Sequence, residues 1–169
     1  PNEDTARRGE SGNTPEACFT QLLNAGAIDD ESIFWNKENA ILGTVKQVAP
    51  NNDGVVDTGE NAWGYVTGLT TSSRTSLPIV FDASKTAGRF DTGVWDGVAI
   101  VAKLDGSIEA KSIAVSAGGP YEDDGSSKQG PIEEKRGKTE VDIFSARALP
   151  DNADVLTPSS SGSNRAIEE

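Results

Sequence analysis

The stretch VWDGVAIVAKLDGSIEAKSI, residues 94–113, constrains the fold more than any other. Two β-rich runs, VAIVAKL and SIEAKSI, flank Asp105-Gly106. That dipeptide supplies the positive-φ residues that tight hairpin turns require, so the spacing predicts an antiparallel hairpin. The runs before it suit the same sheet. AWGYVTGL (62–69) alternates apolar with small or polar residues, as a half-buried strand does. LPIVFDA (77–83) is a short apolar strand, with Pro78 near its start where a missing N–H is tolerated.

Upstream the period is helical. NTPEACFTQLLNAGAIDD carries Thr14 as N-cap, Pro15 at the first helical position and Glu16 at the positive end of the dipole. Cys18, Phe19, Leu22 and Leu23 share one face, and Gly26 is the expected C-cap. DDESIFW (29–35) reads as a second short helical turn, capped by Asp29 or Asp30. The expected class is therefore α+β: short N-terminal helices packed on an antiparallel sheet that ends in the Asp-Gly hairpin, followed by a loop-rich C-terminal extension.

The extension is expected to divide in two. Residues 117–138 have no apolar period and many turn formers, which predicts a mobile acidic loop. Residues 139–169 are expected to return as one strand, TEVDIFSARALP, and then to run out into a flexible C-terminus. Residues 1–116 are then the globular domain. With 169 residues, one core is expected rather than two.

Composition excludes more than it proposes. A formal net charge of -12 offers no basic patch for phosphates, so nucleic acid is not an expected partner. No apolar run reaches the ~18 residues that span a bilayer. No signal peptide is visible, and the chain, which opens on Pro1 and holds no methionine, reads as a mature or trimmed segment. Cys18 is the single cysteine, so no intrachain disulfide forms.

Histidine is absent, which removes the commonest general base near neutral pH and the usual nucleophilic triads. Zinc sites of the Cys/His kind are excluded by the same counts. Carboxylate pairs such as Asp29/Asp30 and Asp123/Asp124 could serve glycoside hydrolysis, but nothing singles out a pair, and capping or solvated loop surface is the expected role. No enzyme is expected. Trp35, Trp63 and Trp95 fit core anchors, with sugar stacking as the alternative if they lie exposed in a row.

One motif concerns metal. With Gly54 at position 6 of a twelve-residue calcium loop, Asn51, Asp53, Asp57 and Glu60 occupy positions 3, 5, 9 and 12. Position 1 is Ala49, however, and the following AWGYV reads as strand, so the helix–loop–helix frame fails. A polar turn is the preferred reading, because Asn, Asp and Gly bond their own backbone and accept left-handed conformations. Calcium in another geometry, on these four residues, is the alternative. No other cofactor is implied.

The ordered set PNEDTA, ACFTQLLNAGAIDDESIFW, GENAWGYVTGL, LPIVFDA and GVWDGVAIVAKLDGSIEA resembles the soluble headgroup of bacterial type IV pilin-like proteins, including type II secretion pseudopilins. The resemblance covers roughly residues 1–115. It implies a non-enzymatic structural or interaction subunit of a pilus-like filament or secretion system, with other such subunits as partners. It also implies location in the periplasm or at the cell surface, and inner-membrane anchoring before assembly through an N-terminal helix absent from this chain. Loops 70–76 and 117–138 would be display surfaces. The alternative function is an extracellular carbohydrate- or calcium-binding module.

Overall fold

The computed structural model describes residues 14–35, 41–42, 45–115, 128–158 and 164–165. Thr14 is extended and accepts the Ala17 N–H at 3.2 Å on Oγ1, which opens helix α1 (Pro15–Asn24) with Pro15 at its start. The helix closes where Gly26 (φ 64°) donates to the Leu23 carbonyl and Ala27 to that of Leu22, at 2.8 and 3.0 Å. These two bonds satisfy carbonyls that the helix leaves open. A 3-10 helix (Glu31–Phe34) follows, capped by Asp30, whose Oδ1 accepts the Ser32 N–H at 2.8 Å.

Twelve short strands are described: β1 (Ile41–Leu42), β2 (Val45–Lys46), β3 (Trp63–Val66), β4 (Pro78–Asp82), β5 (Phe90–Asp91), β6 (Val98–Lys103), β7 (Ile108–Ser112), β8 (Gln129–Gly130), β9 (Glu133–Arg136), β10 (Thr139–Asp142), β11 (Asp154–Leu156) and β12 (Asn164–Arg165). A one-turn helix, α2 (Thr92–Trp95), lies between β5 and β6. The central sheet runs β12-β11-β3-β4-β6-β7, each neighbour antiparallel. Pairs β1–β2, β5–β8 and β9–β10 form three small antiparallel ladders. Few helices with an antiparallel sheet make this an α+β fold.

Strands β6 and β7 are joined through Leu104, Asp105 and Gly106. Lys103 N–H donates to the Ser107 carbonyl at 2.9 Å and Gly106 N–H to that of Lys103 at 3.0 Å. Only Gly106 takes a positive φ (82°), whereas the dipeptide was expected to supply two such residues. Asp105 instead uses Oδ1 to accept the Ser107 N–H at 2.9 Å. The connection is thus three residues long, with glycine alone in the left-handed position.

The two faces of the sheet carry separate cores. On one, Tyr65 and Val80 pack with Trp63 against Phe19, Phe34 and Val56, and the Phe19 and Phe34 rings stack at 4.6 Å. The other face, with Val66, Phe81, Ala99 and Val101, meets Phe90, Ile132, Ile143 and Phe144. There the Phe81 and Phe144 rings lie 4.6 Å apart.

The C-terminal third departs from expectation. Residues 128–138 are not a mobile loop: they contain β8 and β9, and Ile132 is 0% exposed. The remainder of that segment, 117–127, lies outside the described residues, as does the lead-in 1–13. A domain confined to 1–116 is likewise corrected, because Ile132, Ile143, Phe144, Leu149 and Val155 complete its core. Among the described residues the returning strand β10 pairs with β9 alone, and it is β11 that inserts into the central sheet beside β3. One apolar residue among charges has no period to read, and its value comes from partners far along the chain.

Candidate functional site: the 51–60 loop and its carboxylate anchors

Three of the four candidate ligands, Asn51, Asp53 and Glu60, turn side-chain oxygens toward backbone amides. Asn51 Oδ1 accepts the Asp53 N–H at 2.9 Å, and Asp53 Oδ1 accepts that of Val55 at 3.0 Å. Glu60, 4% exposed, accepts the Asn51 N–H on Oε1 and the Asp57 N–H on Oε2, both at 3.0 Å. Asp57 returns its carbonyl to the Glu60 N–H at 3.0 Å. Asn51, Asp57 and Glu60 are therefore brought together, the Asn51 and Asp57 amides converging on the Glu60 carboxylate. Among the described residues no group of three or more Asp, Glu or Cys side chains is placed to hold a metal. Local side-chain-to-backbone bonding of this kind is what a polar turn does.

Glu31 is the anchor that sequence reading missed. It is 3% exposed, accepts the Asn52 N–H at 2.8 Å on Oε2, and accepts the Gly54 N–H on Oε1. Thr20 adds a third tie from α1, its Oγ1 accepting the Val56 N–H at 2.9 Å. Asn52 stands at φ 60°, a conformation asparagine tolerates better than most residues. The loop is thus clamped between α1, the 3-10 helix and its own Glu60. Nothing in DDESIFW signals such a role, because the bonds span 21 and 23 residues.

Between these elements opens a cleft of about 310 Å³, walled by Leu23 and Ile28 and rimmed by Asn24, Asp29, Glu31, Asn52 and Gly54. Residues 29–31 and 51–60 hold five Asp or Glu apart from Glu60 and no Lys or Arg, so these two segments are acidic. Among the described residues neither Glu31 nor Glu60 enters an ion pair, and each side chain accepts two backbone N–H groups.

Of the remaining candidates, Asp30, Trp63 and Trp95 serve the fold. Asp30 caps the 3-10 helix, and bonds from the Ser32 N–H and hydroxyl hold its carboxyl below the usual range. Asp29 lines the cleft, and Asp123/Asp124 lie outside the described residues. Trp95 is buried and donates to the Ala83 carbonyl at 2.9 Å; Trp63 is half-buried and donates to that of Ile33 at 3.1 Å. Trp35 is also half-buried, so none of the three stands exposed as a stacking platform. Glu16 is buried at the foot of α1, where burial pushes its carboxyl up against the opposing bonds from its own N–H, Asn61 and Thr14.

Among the described residues one extended charge network lies across the sheet. Lys103 reaches Glu109 at 3.0 Å and Glu134 at 3.1 Å, and Lys111 reaches the same two carboxylates at 2.5 and 2.7 Å. Burial opposes the charge on both lysines, yet the bonds from the two glutamates win and raise both ammonium groups above their ordinary value. Fully charged and mutually paired, these residues tie β9 to β6 and β7. They do not resemble an acid–base pair.

Among the described residues no helix is long and apolar enough to cross a membrane. Compared with known protein families, curated proteins and solved structures, the chain matches none.

Proposed function

We propose that this chain is the globular domain of a pilin-like subunit, of a pilus-like filament or of a secretion pseudopilin, whose work is assembly and contact. One observation carries the reading. Among the described residues, the segments that bear the sequence resemblance fold as α1 with its 3-10 helix and as β3, β4, β6 and β7, four adjacent strands with α1 packed against one face. A displayed subunit needs a stable sheet and exposed surfaces, not a reaction centre. The clamped 51–60 loop suits such a body: Asn51, Asp53 and Glu60 within it, and Glu31 beside it, accept backbone amides.

On this reading the protein works in the periplasm or at the cell surface, among other subunits of its kind, and is anchored in the inner membrane before assembly. The test is processing of the full-length gene product in its own cells. Cleavage of a short leader that stops when prepilin peptidase is deleted supports the proposal. Maturation by an ordinary signal peptidase overturns it. A calcium-dependent rise in melting temperature, or tryptophan quenching by polysaccharide, would favour an extracellular binding module instead.

A further inference from the structure

The turn end of the β9–β10 hairpin is basic, between strands that carry Glu133, Glu134, Glu140 and Asp142. Its tip holds Lys135, Arg136 and Lys138 within four residues, in a chain whose formal net charge is -12. None of the three makes an ion pair or a side-chain hydrogen bond among the described residues. Glu140 stands across from Lys135 in the ladder, yet the two side chains are not bridged. Lys135 and Lys138 are exposed.

The tip and the acidic cleft lie on opposite faces of the sheet. Glu109 and Lys111 pair with Val101 and Ala99, whose side chains enter the core of Phe81 and Phe144. Glu134, bonded to Lys111 and Lys103, therefore lies over that face. Helix α1 and Phe34 cover the other, where Tyr65 and Val80 point. The tip cannot reach the cleft of its own chain across the sheet.

We infer that the Lys135–Lys138 tip docks on the cleft at Leu23, Ile28 and Asp29 of a second copy of this chain, head to tail. The occupant follows from charge and shape. Strongly acidic copies repel unless opposite charges meet. Leu23 and Ile28 offer an apolar wall for a lysine stem, while Asp29 and the buried carboxylate of Glu31 face its ammonium. Because the two patches differ, the contact is heterologous and leaves a free tip and a free cleft at each end, so it can propagate. The inference rests on the subunit reading in that it supplies the contact between copies.

The test is sedimentation equilibrium of the 169-residue chain at low and high salt. Expected is a salt-sensitive self-association that K135E/K138E weakens about tenfold or more, as does N24K/D29K in the cleft. These four positions are exposed and make no side-chain hydrogen bond, so both variants should keep the wild-type circular dichroism. Mixing the two variants should restore association, because an acidic tip then meets a basic cleft. A chain that stays monomeric at every salt, an association indifferent to both variants, or folded variants that fail to rescue one another would each overturn the contact. Binding of the wild-type tip to anionic vesicles without self-association overturns it too. Rescue without any entry of full-length protein into filaments would sink the subunit reading and leave this contact standing. Filament entry unimpaired by K135E/K138E would do the reverse.

Discussion

Replacing Ile132 by alanine measures how firmly the C-terminal third belongs to the core. Ile132 is 0% exposed and packs in the cluster of Phe81, Phe90 and Phe144. Its carbonyl accepts the Ile143 N–H at 3.0 Å, and the neighbouring Pro131 carbonyl accepts that of Ala114 at 2.8 Å, so the backbone is pinned on both sides. A pinned site collapses poorly onto a cavity. Large-to-small changes at such positions cost roughly 2–5 kcal/mol, and about 4 kcal/mol is expected here. For a chain of this size that lowers Tm by roughly 8–16 °C. Urea unfolding should show a lower midpoint with the slope unchanged. Ile108, 71% exposed on β7, is the control, and I108A should stay within about 0.5 kcal/mol of the parent. If I132A and I108A are indistinguishable, residues 128–138 are not part of the core and the account of the fold is wrong.

Three further outcomes follow from the polar contacts. Glu31→Ala removes a buried acceptor from two loop amides; with water admitted from the cleft, about 3 kcal/mol is expected, together with faster hydrogen exchange at Asn52 and Gly54. Glu134→Gln should cost about 1 kcal/mol at low salt and less at high salt, since the network is partly exposed. Burial works against the Glu134 charge, but the Lys111 and Lys103 bonds outweigh it and depress its pKa below the ordinary 4.5; the stability it adds is present above that value and lost as pH falls through the folded one. Glu16 has the opposite sign. Burial raises its pKa, so the folded state holds the proton longer than the unfolded one, and stability falls as pH rises from 4.5 through the folded value. Glu16→Gln, which keeps an acceptor for Asn61 Nδ2, should remove that loss and leave the variant the more stable at neutral pH. Parallel denaturation of parent and variant across pH checks it.

How much could be read from the residues depended on how local the physics was. Thr14, Pro15 and Gly26 act within one helix turn, and each does what its position implies. The Asn51–Glu60 spacing matched four positions of a calcium loop, yet the same residue types bond neighbouring amides just as well, as Asn51, Asp53 and Glu60 do here. The anchors from Glu31 and Thr20 were illegible, because an amide partner 21 or 36 residues away leaves no mark beside the acceptor. So was β11: three residues, Asp154–Leu156, are too few for a period, and only their pairing with β3 makes them a strand. Ile132 stood alone among charges for the same reason.

The subunit reading is tested most directly in cells that make the full-length protein. Filaments or secretion complexes are sheared or solubilised, purified and probed for this chain, beside a strain lacking prepilin peptidase. The account predicts that the protein co-purifies with the assembly and disappears from it when the peptidase is absent. A protein found only as freely released molecules, equally in both strains, would contradict it.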